Sequence, residues 1–236
     1  MIMNIKTVLH SLFSDHHAYE PSVLNSMCSE FEVNNWTISK FVLHELVPIV
    51  DVHPFPLNEL MLMASAVCKV QPSHIFEWGT NIGKSARIFY ETIKAFNISA
   101  EIHSIDLPDD VEHIEHPKGS RGFLVRGLKE VTLHVGDGLT TSLQILSRSN
   151  AVRRTLFFID GDHSYASVRR ELEGIIRQVP HANIMLHDTF YQAEDSGYNI
   201  GPYKAITDVL AAMPDQYKIV SQNLGLPGIT LLWNKQ

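Results

Sequence analysis

The sequence predicts a doubly wound α/β fold, with a mostly parallel seven-stranded sheet that ends in a terminal antiparallel strand. Three observations predict it. Short apolar runs of strand character alternate with helical stretches from residue 74 to residue 187, the pattern of parallel strands whose crossovers cover both faces. Residues 156–159, Leu-Phe-Phe-Ile, show no polar alternation, as expected for a strand covered on both sides. The last two apolar runs, 217–220 and 229–233, are separated by eight residues containing Gly225, Pro227 and Gly228. That is too short for a crossover, so these two pair antiparallel.

The elements follow in order. Residues 1–55 read as an N-terminal helical extension with no strong strand, closed by the break Val52-His53-Pro54-Phe55-Pro56, since each proline pushes its predecessor out of helix. Phe41, Leu43, Leu46 and Val47 read as core, and the extension either caps the site or forms a dimer contact. Residues 56–236 form the main domain. Apolar residues at 57, 60, 61, 64, 67 and 68 give a helix that ends before Pro72. Strands are expected at 74–77, 102–106, 131–135, 156–160 and 184–187, with helices at about 84–96, 138–149 and 165–178 between them. A helix over 202–213 carries proline in its first turn. The stretch 107–130, with glycines at 119, 122 and 127, reads as a mobile cover or an ordinary solvated connection. Residues 189–200, with Tyr191, Asp195 and Tyr198, read as an acceptor contact or a plain surface loop.

Composition narrows the class. The chain has 236 residues, 44% hydrophobic and 19% charged, enough for one or two domains with a real core and against wholesale disorder. No run approaches the roughly 20 apolar residues of a membrane span. With a net charge of -7 and only the small basic pairs Arg153-Arg154 and Arg169-Arg170, nucleic acid is not expected as a partner. Cys28 and Cys68 lie far apart without metal or redox spacing, and no signal peptide is read at the start. These point to a reduced, cytoplasmic protein. The 13 histidines decide nothing by number alone.

In an open α/β sheet the ligand sits outside the carboxyl ends of the strands. Every parallel strand here ends on an acid: Glu77, Asp106, Asp137, Asp160 with Asp162, and Asp188. The first loop, Glu77-Trp78-Gly79-Thr80-Asn81-Ile82-Gly83-Lys84-Ser85, has two readings. Gly79-x-x-x-Gly83-Lys84-Ser85 approximates a phosphate-binding loop, giving a P-loop-like nucleotide-binding phosphotransferase. That loop needs four residues between its glycines, and here there are three. In the other reading, acid-x-Gly-x-x-x-Gly, the glycines let backbone approach a ligand, while the acid disfavours a diphosphate. Asp106 suits a ribose diol, because a carboxylate accepts both hydroxyl protons, and Asp137 suits an adenine amino group. A positively charged adenosine without phosphate fits that set, and S-adenosylmethionine is such a ligand. The G-x-G-x-x-G of dinucleotide sites is missing.

Glu77 to Gly83, Ile105-Asp106, Gly136-Asp137 and Ile159-Asp160-Gly161-Asp162-His163-Ser164-Tyr165 resemble class I S-adenosylmethionine-dependent methyltransferases over about residues 57–236, as does the terminal antiparallel pair. The resemblance implies a Rossmann-like methyltransferase fold, with Glu77, Gly79, Gly83, Asp106 and Asp137 holding the cofactor. The nearest likeness is to metal-dependent small-molecule O-methyltransferases, including the macrolide-sugar type and cephalosporin hydroxylase-like relatives. By position it implies Asp160 and Asp188 as ligands of Mg²⁺ or another divalent cation, and His163 as the base that deprotonates an acceptor hydroxyl. His187 departs from that pattern, which has a carboxylate there; magnesium prefers oxygen, whereas imidazole suits zinc, iron or nickel. So His187 turns away, the metal differs, or no metal binds. The implied activity is methylation of a small-molecule hydroxyl by a possible homo-oligomer. The phosphotransferase and a non-catalytic S-adenosylmethionine-binding module are the alternatives. Asp162 and Ser164 also suit a helix cap, Glu77 an ion pair with Lys84, and Asp106 and Asp137 simple turns.

Overall fold

The computed structural model describes residues 30–111, 118–148, 154–213 and 215–234; Cys28, Arg153 and the first 29 residues of the extension lie outside them. Helix α1 (Asn35–Phe41) starts at Asn34, whose side chain accepts from the Thr37 N–H at 3.2 Å. A π-helical turn, Val42–Leu46, leads into the short α2 (Val47–Val50). Then come α3 (Leu57–Val70), β1 (His74–Trp78), α4 (Lys84–Ala95), β2 (Glu101–Asp106), β3 (Val131–Val135) and α5 (Gly138–Ser147). The chain continues through β4 (Thr155–Ile159), α6 (Tyr165–Gln178), β5 (Asn183–His187), α7 (Gly201–Ala211), β6 (Tyr217–Gln222) and β7 (Ile229–Asn234).

The seven strands stand in the order β3-β2-β1-β4-β5-β7-β6. The first five are parallel, and β7 runs antiparallel to both β5 and β6. The chain winds outward from β1 through β2 to β3, then returns to place β4 on the other side of β1. This reversal opens a crevice above β1 and β4, where neighbouring loops part in opposite directions.

Two apolar layers cover the sheet. On one face α1, α3 and α4 pack with Ile75, Phe158, Met185 and Leu231. On the other, α6 and α7 pack with Phe76, Phe157, Ile184 and Leu232. Successive strand residues alternate between the layers because the side-chain period is two. β1, β4 and β5 are buried along their whole length, so the unalternating 156–159 run is the central strand its composition predicts.

The described part of the N-terminal extension is built into this core. Ile38, Phe41, Leu46, Val50 and Phe55 are each at most 2% exposed and join the α3–α4 layer. Leu43 departs from the expectation of a core role: it is 49% exposed, on the outer side of the π turn, while Val42 and Leu46 point inward. Cys68 is buried in the same layer. Among the described residues, no helix is long and apolar enough to cross a membrane.

Candidate active site

The carboxyl rim carries two cavities with a common wall. The first, about 220 Å³, is lined from the ends of β1 to β4 by residues including Gly79, Asp106, Asp137, Asp162, Arg170 and Glu171. The second, about 730 Å³, lies on the β5 side beneath residues 52–56, and its lining includes Ile82, His163, His187, Asp188 and Pro227. Gly79, Asn81 and Asp160 line both. The wall is thin because Gly79 has no side chain. Its φ is +95°, and an added Cβ would lie 2.2 Å from the Asp160 carbonyl oxygen, so only glycine lets the β1 loop cross the end of β4.

Three amides of the loop after β1 are engaged within the protein. The Asn81 N–H donates to Asp106 at 3.2 Å, the Ile82 N–H to the Asn81 side chain at 2.7 Å, and the Gly83 N–H to the Thr80 carbonyl at 2.7 Å. Lys84, which would reach a phosphate in a phosphotransferase, instead donates to the His53 carbonyl. With these amides engaged, Lys84 turned to His53 and three acids beside it, the loop does not support the phosphotransferase reading.

Asp106 and Asp137 stand where the sequence places them. Asp106 accepts from the Asn81 and Leu107 N–H groups and faces the cavity. Asp137 caps α5 through the Thr140 N–H at 2.9 Å and accepts from Arg170 at 2.7 Å. Burial raises its pKa, but Arg170 and Thr140 outweigh that and hold it below the usual carboxylate value. The expected turn role and a ligand-facing role coexist in this residue. Asp162 accepts from the Ser164 N–H at 2.9 Å, while Ser164 itself caps α6.

Glu77, expected to hold the cofactor, lies beneath the first cavity and lines neither one. It is fully buried and accepts from the Ser85 hydroxyl at 2.6 Å and from Ser104. Burial pushes its pKa up to about 8, so at neutral pH it is mostly a neutral acid, not a counter-charge. Nor does it pair with Lys84, which points to His53. Gly83 opens α4 at φ +88°, and an added Cβ there would meet Val125 at 3.0 Å and Gly122 at 3.2 Å. The Gly122 and Leu124 N–H groups donate to the Asn81 and Ile82 carbonyls. The described end of the 107–130 stretch is thereby tied to the glycine loop.

Glu171 was not singled out from sequence. It is 8% exposed, lines the first cavity, and its Oε2 has no hydrogen-bond partner. Burial pushes its pKa up to about 7. Its only sequence signal is a charged position on the helix face that also carries Val168 and Leu172.

The second cavity holds a chain of charges. Glu59 accepts from His187 Nε2 at 3.0 Å, and Asp160 from His187 Nδ1 at 2.9 Å. His163 Nδ1 lies 3.0 Å from Asp188 Oδ2, and the Tyr198 hydroxyl donates to Asp188 Oδ1 at 3.1 Å. With a carboxylate on each ring nitrogen, His187 is a donor at both and therefore an imidazolium. Burial opposes that charge, but Asp160, Glu59 and Asp188 overcome it and raise its pKa to about 10. The Asp160 carboxyl is held below its ordinary value: burial raises it, and His187 and His163 outweigh the burial. His163 is likewise raised, because Asp160 and Asp188 outweigh burial. Its Nε2 is buried without a hydrogen-bond partner. The Asn199 side chain donates to the His163 carbonyl at 2.8 Å and holds that turn.

Asp160, His187 and Asp188 bring possible ligand atoms within 4.8 Å of one another. Glu59, 128 residues from His187, was missed because nothing local in its helix marks it. Tyr198 in the 189–200 segment does reach the site, while Tyr191 packs at a tilt against Tyr203 outside it.

Residues 76–189 match the family model described as a methyltransferase domain. No curated protein matches the chain in sequence. Among solved structures, the O-methyltransferase TomG of Streptomyces achromogenes, involved in tomaymycin synthesis and in complex with S-adenosylmethionine, is 14% identical. It superposes with a TM-score of 0.57 over 98% of this chain and 95% of that one. The S-adenosylhomocysteine-bound methyltransferase PaMTH1 of Podospora anserina is 15% identical, with a TM-score of 0.54 over 100% and 98%. An O-methyltransferase of Bacillus cereus in complex with S-adenosylhomocysteine is 17% identical, with a TM-score of 0.52 over 97% and 98%. At these identities the likeness is one of fold. The chain thus carries a methyltransferase-domain match over residues 76–189, on a fold shared with these S-adenosylmethionine- and S-adenosylhomocysteine-bound methyltransferases.

Proposed function

We propose that the protein methylates a hydroxyl of a small molecule, with S-adenosylmethionine in the first cavity and the acceptor in the second. The observation that carries this reading is the common wall: an acid-lined crevice at the switch point opens, across Gly79 and Asp160, onto a cavity that holds a carboxylate–imidazole pair. The first cavity has the charge for a cationic nucleoside, since Asp106, Asp137, Asp160, Asp162 and Glu171 outnumber Arg170 on its wall. In this reading Asp106 accepts from the ribose hydroxyls, Asp137 and Glu171 face the adenine, and Gly79 and Gly83 let the backbone close on the guest. Glu77 supports the loop from below.

When bound, S-adenosylmethionine supplies a methyl group on a cationic sulfur for in-line transfer to an acceptor oxygen. His163 Nε2 takes the proton of the acceptor hydroxyl. Asp188 holds Nδ1 and fixes which nitrogen is basic, and Asp160, 3.4 Å from Nε2, stabilises the resulting imidazolium. The geometry is that of a base oriented by a carboxylate. Residues 52–56 and Pro227 line the acceptor cavity.

The donor set does not fit magnesium. An imidazolium sits between Glu59 and Asp160, and an ion at Asp160 would meet that charge rather than a lone pair. In the proposed mechanism His187 supplies the positive charge that a divalent cation would otherwise bring to Asp160 and Asp188. The net charge of -7 disfavours a nucleic-acid partner. A cytoplasmic enzyme and a homo-oligomer, with exposed Trp36 and Leu43 on its contact face, complete the proposal.

The test is calorimetric titration with S-adenosylmethionine and S-adenosylhomocysteine, followed by turnover on a panel of phenols, catechols and sugars. Cofactor binding with turnover lost in His163→Ala supports the reading. Cofactor binding with no turnover on any acceptor favours a binding module, and no cofactor binding refutes the reading.

A further inference from the structure

At the opposite rim of the sheet, where β1 and β2 begin, a second cluster has no part in the methyl-transfer site. His74 opens β1 and Glu101 opens β2, and the two are paired in register. His103 follows Glu101 by two residues and so emerges on the same face. His74 Nδ1 lies 3.0 Å from His103 Nε2, and Glu101 Oε2 lies 3.6 Å from the first and 3.7 Å from the second. A tetrahedral ion with bonds of about 2.0–2.1 Å needs its ligand atoms about 3.3–3.4 Å apart. The sides here, 3.0, 3.6 and 3.7 Å, each lie within about 0.4 Å of that spacing.

The surroundings have the features a metal site needs. His74 and His103 are 3% and 6% exposed, and their rings stack on each other and on Phe76, so packing fixes their orientation. His103 Nδ1 lies 3.3 Å from His134 Nε2 on β3. That is the outer partner a ligating imidazole uses to hold its tautomer, with Nδ1–H donating outward and the Nε2 lone pair turned toward the ion. The Glu101 side chain is 66% exposed and gives the ion a path from solvent. Two imidazoles and one carboxylate suit zinc and its borderline neighbours, not magnesium or calcium.

We propose that His74 Nδ1, His103 Nε2 and a Glu101 carboxylate oxygen bind a zinc-class divalent cation, with water in the fourth position. Binding requires that His74 carry its ring proton on Nε2 instead of Nδ1. The ion would tie β1 to β2 at their starts, about 16 Å below the rim that holds the active site, by the rise of a five-residue strand. Its role is therefore structural. The bland alternative is a hydrogen-bonded pair of core histidines that binds nothing, and this proposal does not depend on the methyl-transfer reading.

The test uses the full chain, stripped with chelator and titrated with Zn²⁺ against a chromophoric competitor. One Zn²⁺ per chain should bind in wild type and in Asp160→Asn. Glu101→Gln, whose exposed side chain leaves the fold untouched, should weaken that binding at least about tenfold, and His74→Phe should abolish it. Co²⁺ in place of Zn²⁺ should give tetrahedral d–d bands in wild type that are lost in His74→Phe. No Zn²⁺ binding by wild type would overturn the proposal. So would binding unchanged in Glu101→Gln, or lost in Asp160→Asn alone.

Discussion

Glu77→Gln isolates the buried acid beneath the first cavity. Glu77 is fully buried, and its pKa rises from 4.5 to about 8. The folded protein therefore keeps the proton while the unfolded chain releases it above pH 4.5. The sign follows from that difference: the unfolded state binds fewer protons between pH 4.5 and 8, so stability falls as pH rises through this window. One pKa unit corresponds to about 1.4 kcal/mol. The loss from this group alone then reaches about 3 kcal/mol by about pH 7 and approaches 5 kcal/mol by about pH 8, as order-of-magnitude values. The amide that replaces the carboxyl is neutral in both states and has the same shape, so the variant escapes this loss. Urea unfolding of both proteins from about pH 5 to about pH 8 measures it. The stability difference between variant and wild type should move in the variant's favour by roughly 1.4 kcal/mol per pH unit. S-adenosylmethionine affinity should change little, because the side chain lines neither cavity. A difference independent of pH would refute the assignment of Glu77 as a buried neutral acid.

Further outcomes are expected. His163→Ala should lower kcat by about 10²–10⁴ with the cofactor Kd unchanged; in wild type the rate should rise with pH through a midpoint above 6.5, because Asp160 and Asp188 raise His163 and only its neutral form is a base. Asp188→Asn should move that midpoint down, and a profile that stays put would detach Asp188 from His163. Gly79→Ala should cost about 1–3 kcal/mol of stability from its backbone conformation, and its Cβ, 2.2 Å from the Asp160 carbonyl, should weaken cofactor binding at least tenfold in calorimetry. Chelator should leave the rate unchanged, whereas Asp160→Asn, which removes one carboxylate from the buried His187 while Glu59 stays on its other nitrogen, should cost about 1–3 kcal/mol in chemical unfolding.

Features that depend on near neighbours along the chain were legible before any packing was known. Alternation of apolar runs and helical stretches placed seven strands within a residue or two of their observed bounds, and the short final connection made β6 and β7 antiparallel. Because a parallel sheet opens its ligand crevice at the carboxyl ends, the same reading located Asp106, Asp137, Asp160 and Asp188 on one rim. What those acids face came from packing instead. That β1 lies between β2 and β4 buries Glu77 and makes it a neutral support. That residues 52–57 and α3 fold over the end of β5 sets Glu59 against His187 across 128 positions and turns an unexpected histidine into a counter-ion. Register at the opposite rim likewise gathers His74, His103 and Glu101 from two strands. Secondary structure follows from periodicity along the chain, but the charge state of a side chain follows from burial and from partners that only long-range packing brings near.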